Sequence, residues 1–177
     1  MISASSSLTD VAFAVGTALD HVGIGAVLTG GSAATFHAPE AYQSRDLDFV
    51  VTLHGPGGDA ALRAIGFRRE ADYYVHPSSP FPLEFPPGPL MIGDDHIDRW
   101  HTARRHPGQL VHVLAPTDSC RDRLAAFLFW NDFSGLEQAL AVCHAKPEVD
   151  LDVVRDWCVR SGQAAKWELF ARRLRRG

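Results

Sequence analysis

The sequence predicts an α+β protein in which an α/β half is followed by an all-helical half. Two observations support this. Short apolar runs alternate with helical patterns before Pro116, and apolar residues recur with a period of 3.6 after it. A chain of 177 residues with 46% hydrophobic residues can form one domain, or a small domain with a helical annex. We therefore expect an α/β core at residues 1–116 and a helical annex, packed on that core, at residues 117–177.

The first half begins with a helix and then alternates between strands and helices. Leu8, Val15 and Val22 share one helical face, and Ser7 can form a capping box with Asp10. The other predicted elements are a buried strand at 24–29, a helix at 32–37, a strand at 46–52, a short helix at 59–65, a hairpin-like pair of strands at 68–76 and 82–85, and a strand at 109–114.

Four helices are predicted in the second half, at 117–130, 134–145, 150–161 and 163–175. Thr117 or Asp118 is the predicted N-cap of the first helix, Ser134 of the second and Asp150 of the third. The aromatic residues of this half are interpreted as core between helices and not as a platform for stacking bases. They are Phe127, Phe129, Trp130, Trp157, Trp167 and Phe170.

The net charge of −4 is unevenly distributed. Residues 1–98 carry 4 basic and 12 acidic side chains, whereas residues 99–177 carry 13 basic and 9 acidic ones. A basic annex beside an acidic site would suit a nucleotide or a nucleic acid. A solvated helix surface explains the same pattern.

Membrane and disulfide functions find no support in the sequence. There is no apolar run of about 18 residues, and residues 1–7 lack the features of a signal peptide, which favours a cytoplasmic location without a membrane partner. Cys120, Cys143 and Cys158 each fall in a helical pattern and form no Cys-x-x-Cys pair. We expect buried, reduced thiols.

A glycine-rich turn is the first candidate functional feature. In Leu28-Thr29-Gly30-Gly31-Ser32, a strand runs into two glycines and then into a helix. Glycine allows the backbone to come close to a ligand, and the N-terminus of the helix offers free N–H groups. Ser32 adds a hydroxyl group. The turn is a candidate phosphate site.

Carboxylates form the second feature. Asp46 and Asp48 are two residues apart on a predicted strand and therefore share one face. Adjacent carboxylates repel each other unless a cation neutralises them, and Mg²⁺ prefers such oxygen ligands. Glu84, between Leu83 and Phe85, is expected on the opposite face from these apolar neighbours, so that a neighbouring strand could place it beside the two aspartates.

Together these residues resemble the nucleotidyltransferase superfamily of the DNA polymerase beta type. That pattern consists of a Gly-Gly-Ser turn that opens a helix, a strand with Asp-x-Asp, and a carboxylate on a later strand. The resemblance covers residues 24–85. The Pro116-Thr117-Asp118 start of the helical half also resembles the abortive-infection and toxin–antitoxin branch of these enzymes.

The resemblance implies a mixed β-sheet flanked by helices, a nucleoside triphosphate (NTP) and Mg²⁺ or Mn²⁺. It implies catalytic and metal-binding roles for Asp46, Asp48 and Glu84, and phosphate-binding roles for Gly30, Gly31 and Ser32. A nucleotidyl group would pass to a hydroxyl acceptor on an RNA end, a small molecule or a protein. A second hypothesis is a binding or regulatory protein with this fold and little catalysis, such as a toxin–antitoxin component, because no acceptor motif is found.

Further residues are weaker candidates. Arg45 could pair with an acid or contact the triphosphate, and His37 is interpreted as a packing or surface residue. The acidic and histidine side chains of residues 94–101 are interpreted as a solvated loop, not as a second metal site. Four arginines in the last six residues, at 172, 173, 175 and 176, could contact the phosphates of a nucleic-acid acceptor.

Overall fold

A computed structural model of the protein describes residues 2–105 and 108–177, so that Met1 of the polar opening segment lies outside the described residues. The helices are α1 (Leu8–Asp20), α2 (Gly30–His37), α3 (Gly58–Ala64), α4 (Pro116–Trp130), α5 (Phe133–Ala145), α6 (Leu151–Arg160) and α7 (Ala164–Leu174). The strands are β1 (Gly25–Thr29), β2 (Leu47–Leu53), β3 (Arg68–Glu70), β4 (Tyr73–His76), β5 (Ser79–Glu84), β6 (Met91–Ile92), β7 (Asp95–His96), β8 (His101–Arg104) and β9 (Leu110–Val113).

Seven strands form a mixed sheet in the order β3-β4-β5-β2-β1-β9-β8. Strand β1 is antiparallel to β2 and parallel to β9, and β2 is parallel to β5. Strands β6 and β7 form a separate two-stranded hairpin. The α+β class, with a mixed sheet flanked by helices and a helical C-terminal part, is confirmed.

The helix ends show which capping predictions hold. Ser7 and Asp10 form the predicted capping box of α1, and Asp150 caps α6 through the N–H groups of residues 152 and 153. The other two predicted caps are wrong. Pro116 occupies the first turn of α4, where its missing N–H costs nothing, and Asp132, not Ser134, caps α5.

Two strand assignments also need correction. The segment predicted as one strand at 68–76 is a hairpin of β3 and β4, which reverses at Ala71, a non-glycine residue with a φ of +52°. The predicted loop at residues 94–101 contains β7, which pairs with β6 just before it, and the first residue of β8. Strands of two residues are too short for an alternating pattern to show in the sequence.

Helix α2 connects the sheet to the helical half. It packs against β1 and β2 on one side and against α4 and α5 on the other. His37, near its end, is buried and its Nε2 atom lies 2.8 Å from the carbonyl oxygen of Leu114, which is a packing role. The start of α2 therefore lies where the sheet meets α4 and α5.

The aromatic residues of the helical half do not all belong to the core. Trp157, Phe127 and Phe170 are buried, as predicted, and Trp167 packs against them in part. Phe129 and Trp130, at the end of α4, are instead 43% and 76% exposed. The prediction was wrong for these two because an aromatic residue at a helix end has no neighbouring turn to cover it.

Candidate active site

Gly30 opens α2 with a φ of +64°, a conformation that favours glycine. The close approach of Asp48 is a second reason why this position needs glycine. A Cβ atom at position 30 would lie 2.8 Å from the Oδ2 atom of Asp48, and 3.7 Å from the Nη2 atom of Arg123. The absence of a side chain at position 30 thus leaves room for the Asp48 carboxylate and the Arg123 guanidinium at the first turn of the helix.

Ser32 has a different role from the predicted phosphate contact. It is fully buried, its hydroxyl donates a hydrogen bond to the carbonyl oxygen of Thr29 at 2.7 Å, and it accepts one from the backbone N–H of Asp48 at 3.2 Å. The hydroxyl is therefore occupied between β1 and β2. Ser32 positions Asp48 relative to the turn.

Asp48 occupies the centre of the candidate site. Its register partner on β1 is Thr29 and its register partner on β5 is Glu84. Paired residues of neighbouring strands point to the same face of a sheet. The Asp48 and Glu84 side chains therefore lie side by side, and Leu47 and Leu83 are buried on the opposite face.

The Asp48 carboxyl group is in an unfavourable position for a negative charge. Burial raises its pKa to about 6, and the charges of Asp46 and Glu84 act in the same direction. The positive charge of Arg123 lowers it only in part. Groups with such perturbed pKa values cluster at functional sites.

Asp46 lies just before β2, in a bend and not within the strand as predicted. The hydroxyl of Ser44 donates a hydrogen bond to its Oδ1 atom at 2.9 Å. Ser44 is itself buried, and its backbone N–H donates to the hydroxyl of Thr35 on α2 at 2.8 Å. Helix α2 thus helps to place Asp46 as well as Asp48.

Glu84, at the end of β5, is exposed, whereas its neighbour Leu83 is buried. It faces Asp48 on one side and its register partner Tyr73 of β4 on the other. The predicted orientation, away from the apolar neighbours, is confirmed. The candidate site is therefore open to solvent at Glu84 and closed at Ser32.

Three residues of the helical half complete the site and were missed by the sequence analysis. Arg123 of α4 forms an ion pair with its neighbour Asp122, with an N–O distance of 2.7 Å. The Nη1 atom of Arg123 also donates to the Oε1 atom of Gln138 on α5 at 3.4 Å. The available signal was the charged sequence Arg121-Asp122-Arg123 in a helix that is otherwise largely apolar after Pro116.

The second glycine of the turn, Gly31, faces a polar rim. A Cβ atom there would lie 3.2 to 3.5 Å from the Ser44 hydroxyl, the Tyr42 hydroxyl and the Oε1 atom of Gln138. Arg45, the remaining predicted ligand, follows Ser44 in the sequence, and it is exposed. The N-terminus of α2 is therefore surrounded by hydrogen-bonding groups, with space only because residue 31 lacks a side chain.

Within residues 2–105 and 108–177, no three histidine, cysteine or carboxylate side chains are grouped closely enough to form a ready-made metal site. This includes the acidic segment at 94–101. Asp95 of β7 pairs there with Arg121 of α4 and with Arg160 of α6, the latter at 3.2 Å. His96 and Asp98 line an open cavity of about 680 Å³ together with Trp100. Asp95 thus fastens the hairpin to the helices.

The comparisons with known proteins add little to this geometry. The chain matches no protein-family model and no curated protein. It is similar, over 95% of its length, to 96% of the chain in the crystal structure of ANT(2″)-Ia in complex with adenylyl-2″-tobramycin, at 16% identity and a TM-score of 0.42. A likeness of this degree identifies neither a family nor an activity.

In the described part of the chain, no helix is both long and apolar enough to span a membrane.

Proposed function

We propose that the protein is a metal-dependent nucleotidyltransferase, which transfers a nucleotidyl group from an NTP to a hydroxyl acceptor. The observation that carries this proposal is the register of β2, which places Asp48 between the glycine turn at Thr29 and the carboxylate of Glu84. The glycine turn, which is the candidate phosphate site, therefore lies beside Asp48, and Asp48 lies beside Glu84. A phosphate site and neighbouring carboxylates are the two components that a metal–triphosphate complex requires.

The carboxylates fit a divalent cation that is completed by its substrate. Mg²⁺ is usually bound by one or two carboxylates together with substrate phosphates, so that a ready-made cage of three acids is not needed. Asp46 and Asp48 would hold Mg²⁺ or Mn²⁺ with the phosphates, and Glu84 would contribute to a second ion. When bound, such ions stabilise the charge that develops on the phosphates and activate the attacking hydroxyl.

The phosphates would bind at the start of α2. The N–H groups of Gly30 and Gly31 and the helix dipole favour an anion there. Arg123, already at this turn, can exchange its contact with Asp122 for a phosphate oxygen, and the exposed Arg45 is a second candidate for this contact. Ser32 acts through Asp48, which it positions.

The reaction is a displacement at the α-phosphorus. The acceptor oxygen forms a bond to phosphorus, the bond to the leaving pyrophosphate breaks, and the hydroxyl proton leaves to solvent on the open side of the site near Glu84. The residues of the chain bind and orient the two reactants and balance their charge.

The test is a screen of the four NTPs with Mg²⁺ or Mn²⁺ against RNA, small-molecule and protein hydroxyls, read as pyrophosphate release and labelled product. Asp48→Asn should abolish the product, whereas Asp94→Asn, which changes an exposed acid on the β6–β7 turn, should not. Equal turnover by both variants would reject the site.

A second candidate function follows from the sequence, in which no acceptor motif is found. The same chain could bind a nucleotide without turning it over, as a regulatory protein or toxin–antitoxin component. Calorimetry distinguishes the two functions. Tight NTP binding in Mg²⁺ with no pyrophosphate release for any acceptor would favour the regulatory function.

A further inference from the structure

Three exposed aromatic side chains lie at the junction of α4 and α5. Phe129 and Trp130 end α4, Phe133 begins α5, and their exposed fractions are 43%, 76% and 52%. The rings of Phe129 and Trp130 lie 5.9 Å apart, and the ring of Phe133 lies 5.3 Å from that of buried Phe127. We call Phe129, Trp130 and Phe133 the aromatic corner. Large aromatic rings are normally buried because they carry a large apolar area, so their joint exposure needs an explanation.

Helix α7 brings positive charge to the aromatic corner. The guanidinium of Arg173 lies 5.9 Å from the centre of the Phe133 ring and also pairs with the exposed Glu137 of α5, with an N–O distance of 2.5 Å. The Nζ atom of Lys166 donates to the carbonyl oxygen of Phe127 at 3.0 Å, which fastens α7 to the end of α4. The exposed Arg172, Arg175 and Arg176 continue this basic surface to the end of the chain.

The aromatic corner is aligned with the candidate active site. Trp130 follows Arg123 by seven residues on α4, which is about two helical turns and a rise of about 10 Å. The two side chains therefore leave the helix on the same side. Since Arg123 reaches the glycine turn, Trp130 lies about 10 Å farther along α4 on the side of the helix that faces the candidate site.

We propose that the aromatic corner and the arginines at positions 172 to 176 bind a single-stranded nucleic acid, which presents its terminal hydroxyl to the site. This inference rests on the proposed function and names the acceptor class. Aromatic side chains stack on unpaired bases of any sequence, and arginines neutralise the phosphates between them. Exposed rings can stack on the bases of such a strand, and Arg173 beside Phe133, with the exposed arginines that follow it in the sequence, can contact its phosphates.

The first test measures binding of a short, mixed-sequence single-stranded RNA by fluorescence anisotropy, with the full chain and without NTP. Trp130→Ala should weaken binding about 5- to 150-fold, the range for loss of one base stack. Trp130→Tyr, which keeps an aromatic ring, should restore most of the affinity. Val159→Ala, at an exposed apolar residue of α6, is the matched control and should bind as the native chain does.

The second test concerns the phosphates. Changing Arg172, Arg175 and Arg176 to Ala should reduce the slope of log affinity against log salt by about 0.7 for each lost contact, measured between about 50 mM and about 200 mM salt. Arg155→Ala, on α6, removes a partly exposed arginine that pairs with Asp152 and Asp156, and it should leave the slope unchanged.

Three results would overturn the inference. They are no RNA binding by the native chain, Trp130→Ala binding equal to the native chain, and duplex RNA bound as tightly as single-stranded RNA. A native dimer that Trp130→Ala converts into a monomer, without RNA binding, would assign the corner to a second copy of the chain. Calorimetry of Mg²⁺–NTP binding without RNA tests the proposed function separately, so that the two ideas fail independently.

Discussion

Replacing Asp48 by Asn is the most informative single change, because it should stabilise the fold while it removes the proposed metal ligand. Asp48 is nearly isosteric with Asn. Its backbone N–H, which donates to Ser32, is kept in the variant. The substitution therefore removes a charge and leaves the position of the residue intact.

The magnitude follows from the pKa of Asp48, which burial and the charges of Asp46 and Glu84 raise from 3.8 to about 6. At 1.36 kcal/mol for each pKa unit, the full shift corresponds to about 3 kcal/mol. The Asp48 carboxyl is only partly buried, so solvent screening reduces the expected effect to about 1–2 kcal/mol.

The sign depends on pH. The folded state binds the Asp48 proton more tightly than the unfolded state, so this stabilisation is present below about pH 4 and is lost as the pH rises through about 6. Asn does not titrate. The variant should therefore match the native protein in stability near pH 4 and exceed it by about 1–2 kcal/mol at pH 8.

The assay is urea unfolding at pH 4 and pH 8 in a chelating buffer, with equal m-values as the condition for comparing free energies. Asp94→Asn is the control for loss of an exposed acid. Adding Mg²⁺ and NTP should stabilise the native protein but not the variant. Two results would refute the inference that the fold disfavours a negative charge on Asp48. One is a variant that is less stable than the native chain at pH 8, and the other is a free energy of unfolding that changes by the same amount at both pH values.

Other changes test the neighbouring residues. Gly30→Ala should cost more stability than Gly162→Ala. Both positions have a positive φ, which costs about 1–2 kcal/mol for alanine, but only a Cβ atom at position 30 would also collide with Asp48. Urea unfolding measures the difference in the free energy of unfolding. Ser32→Ala should destabilise the fold by about 1–3 kcal/mol, since the buried N–H of Asp48 and the carbonyl of the turn lose their partner. Affinity for Mg²⁺–NTP, measured by calorimetry, should fall about tenfold for each pH unit below about 6, where a proton competes at Asp48. Arg123→Met should move that midpoint to higher pH, because Arg123 lowers the pKa of Asp48; an unchanged midpoint would contradict its place in the site.

Local patterns made the strand part of the site predictable. A Gly-Gly turn between an apolar strand and a helix, and an Asp-x-Asp pair, are each defined within a few residues of sequence, although only Asp48 of that pair lies within β2. The period of 3.6 after Pro116 gave all four C-terminal helices to within two residues. The sequence indicated only that a neighbouring strand could place Glu84 beside Asp48, and the parallel register of β2 and β5 confirms this pairing.

Long-range packing made the rest unpredictable. Arg123 and Gln138 reach the site only because α4 and α5 pack on α2. The charged run at 121–123 indicates a polar patch on α4 but not what that patch contacts. The role of Ser32 depends on the same kind of information, since its partner Asp48 lies sixteen positions away. Exposure at the aromatic corner was missed because residue type predicts burial only on average, and Trp130 lies where α4 ends.

The geometry around Asp48 explains why a site of this kind would need both halves of the chain. With no ligand, the negative charge of Asp48 is partly balanced by Arg123, which comes from the helical half. A divalent cation would take over that role, because it neutralises the carboxylates directly and repels the guanidinium. The Arg123 guanidinium, which pairs with Asp122, could then contact the phosphates at the start of α2, where an anion is favoured. Binding of a metal–triphosphate complex would therefore replace one set of charge contacts between the halves by another, so that α4 acts as a part of the binding site and not only as a support for the sheet.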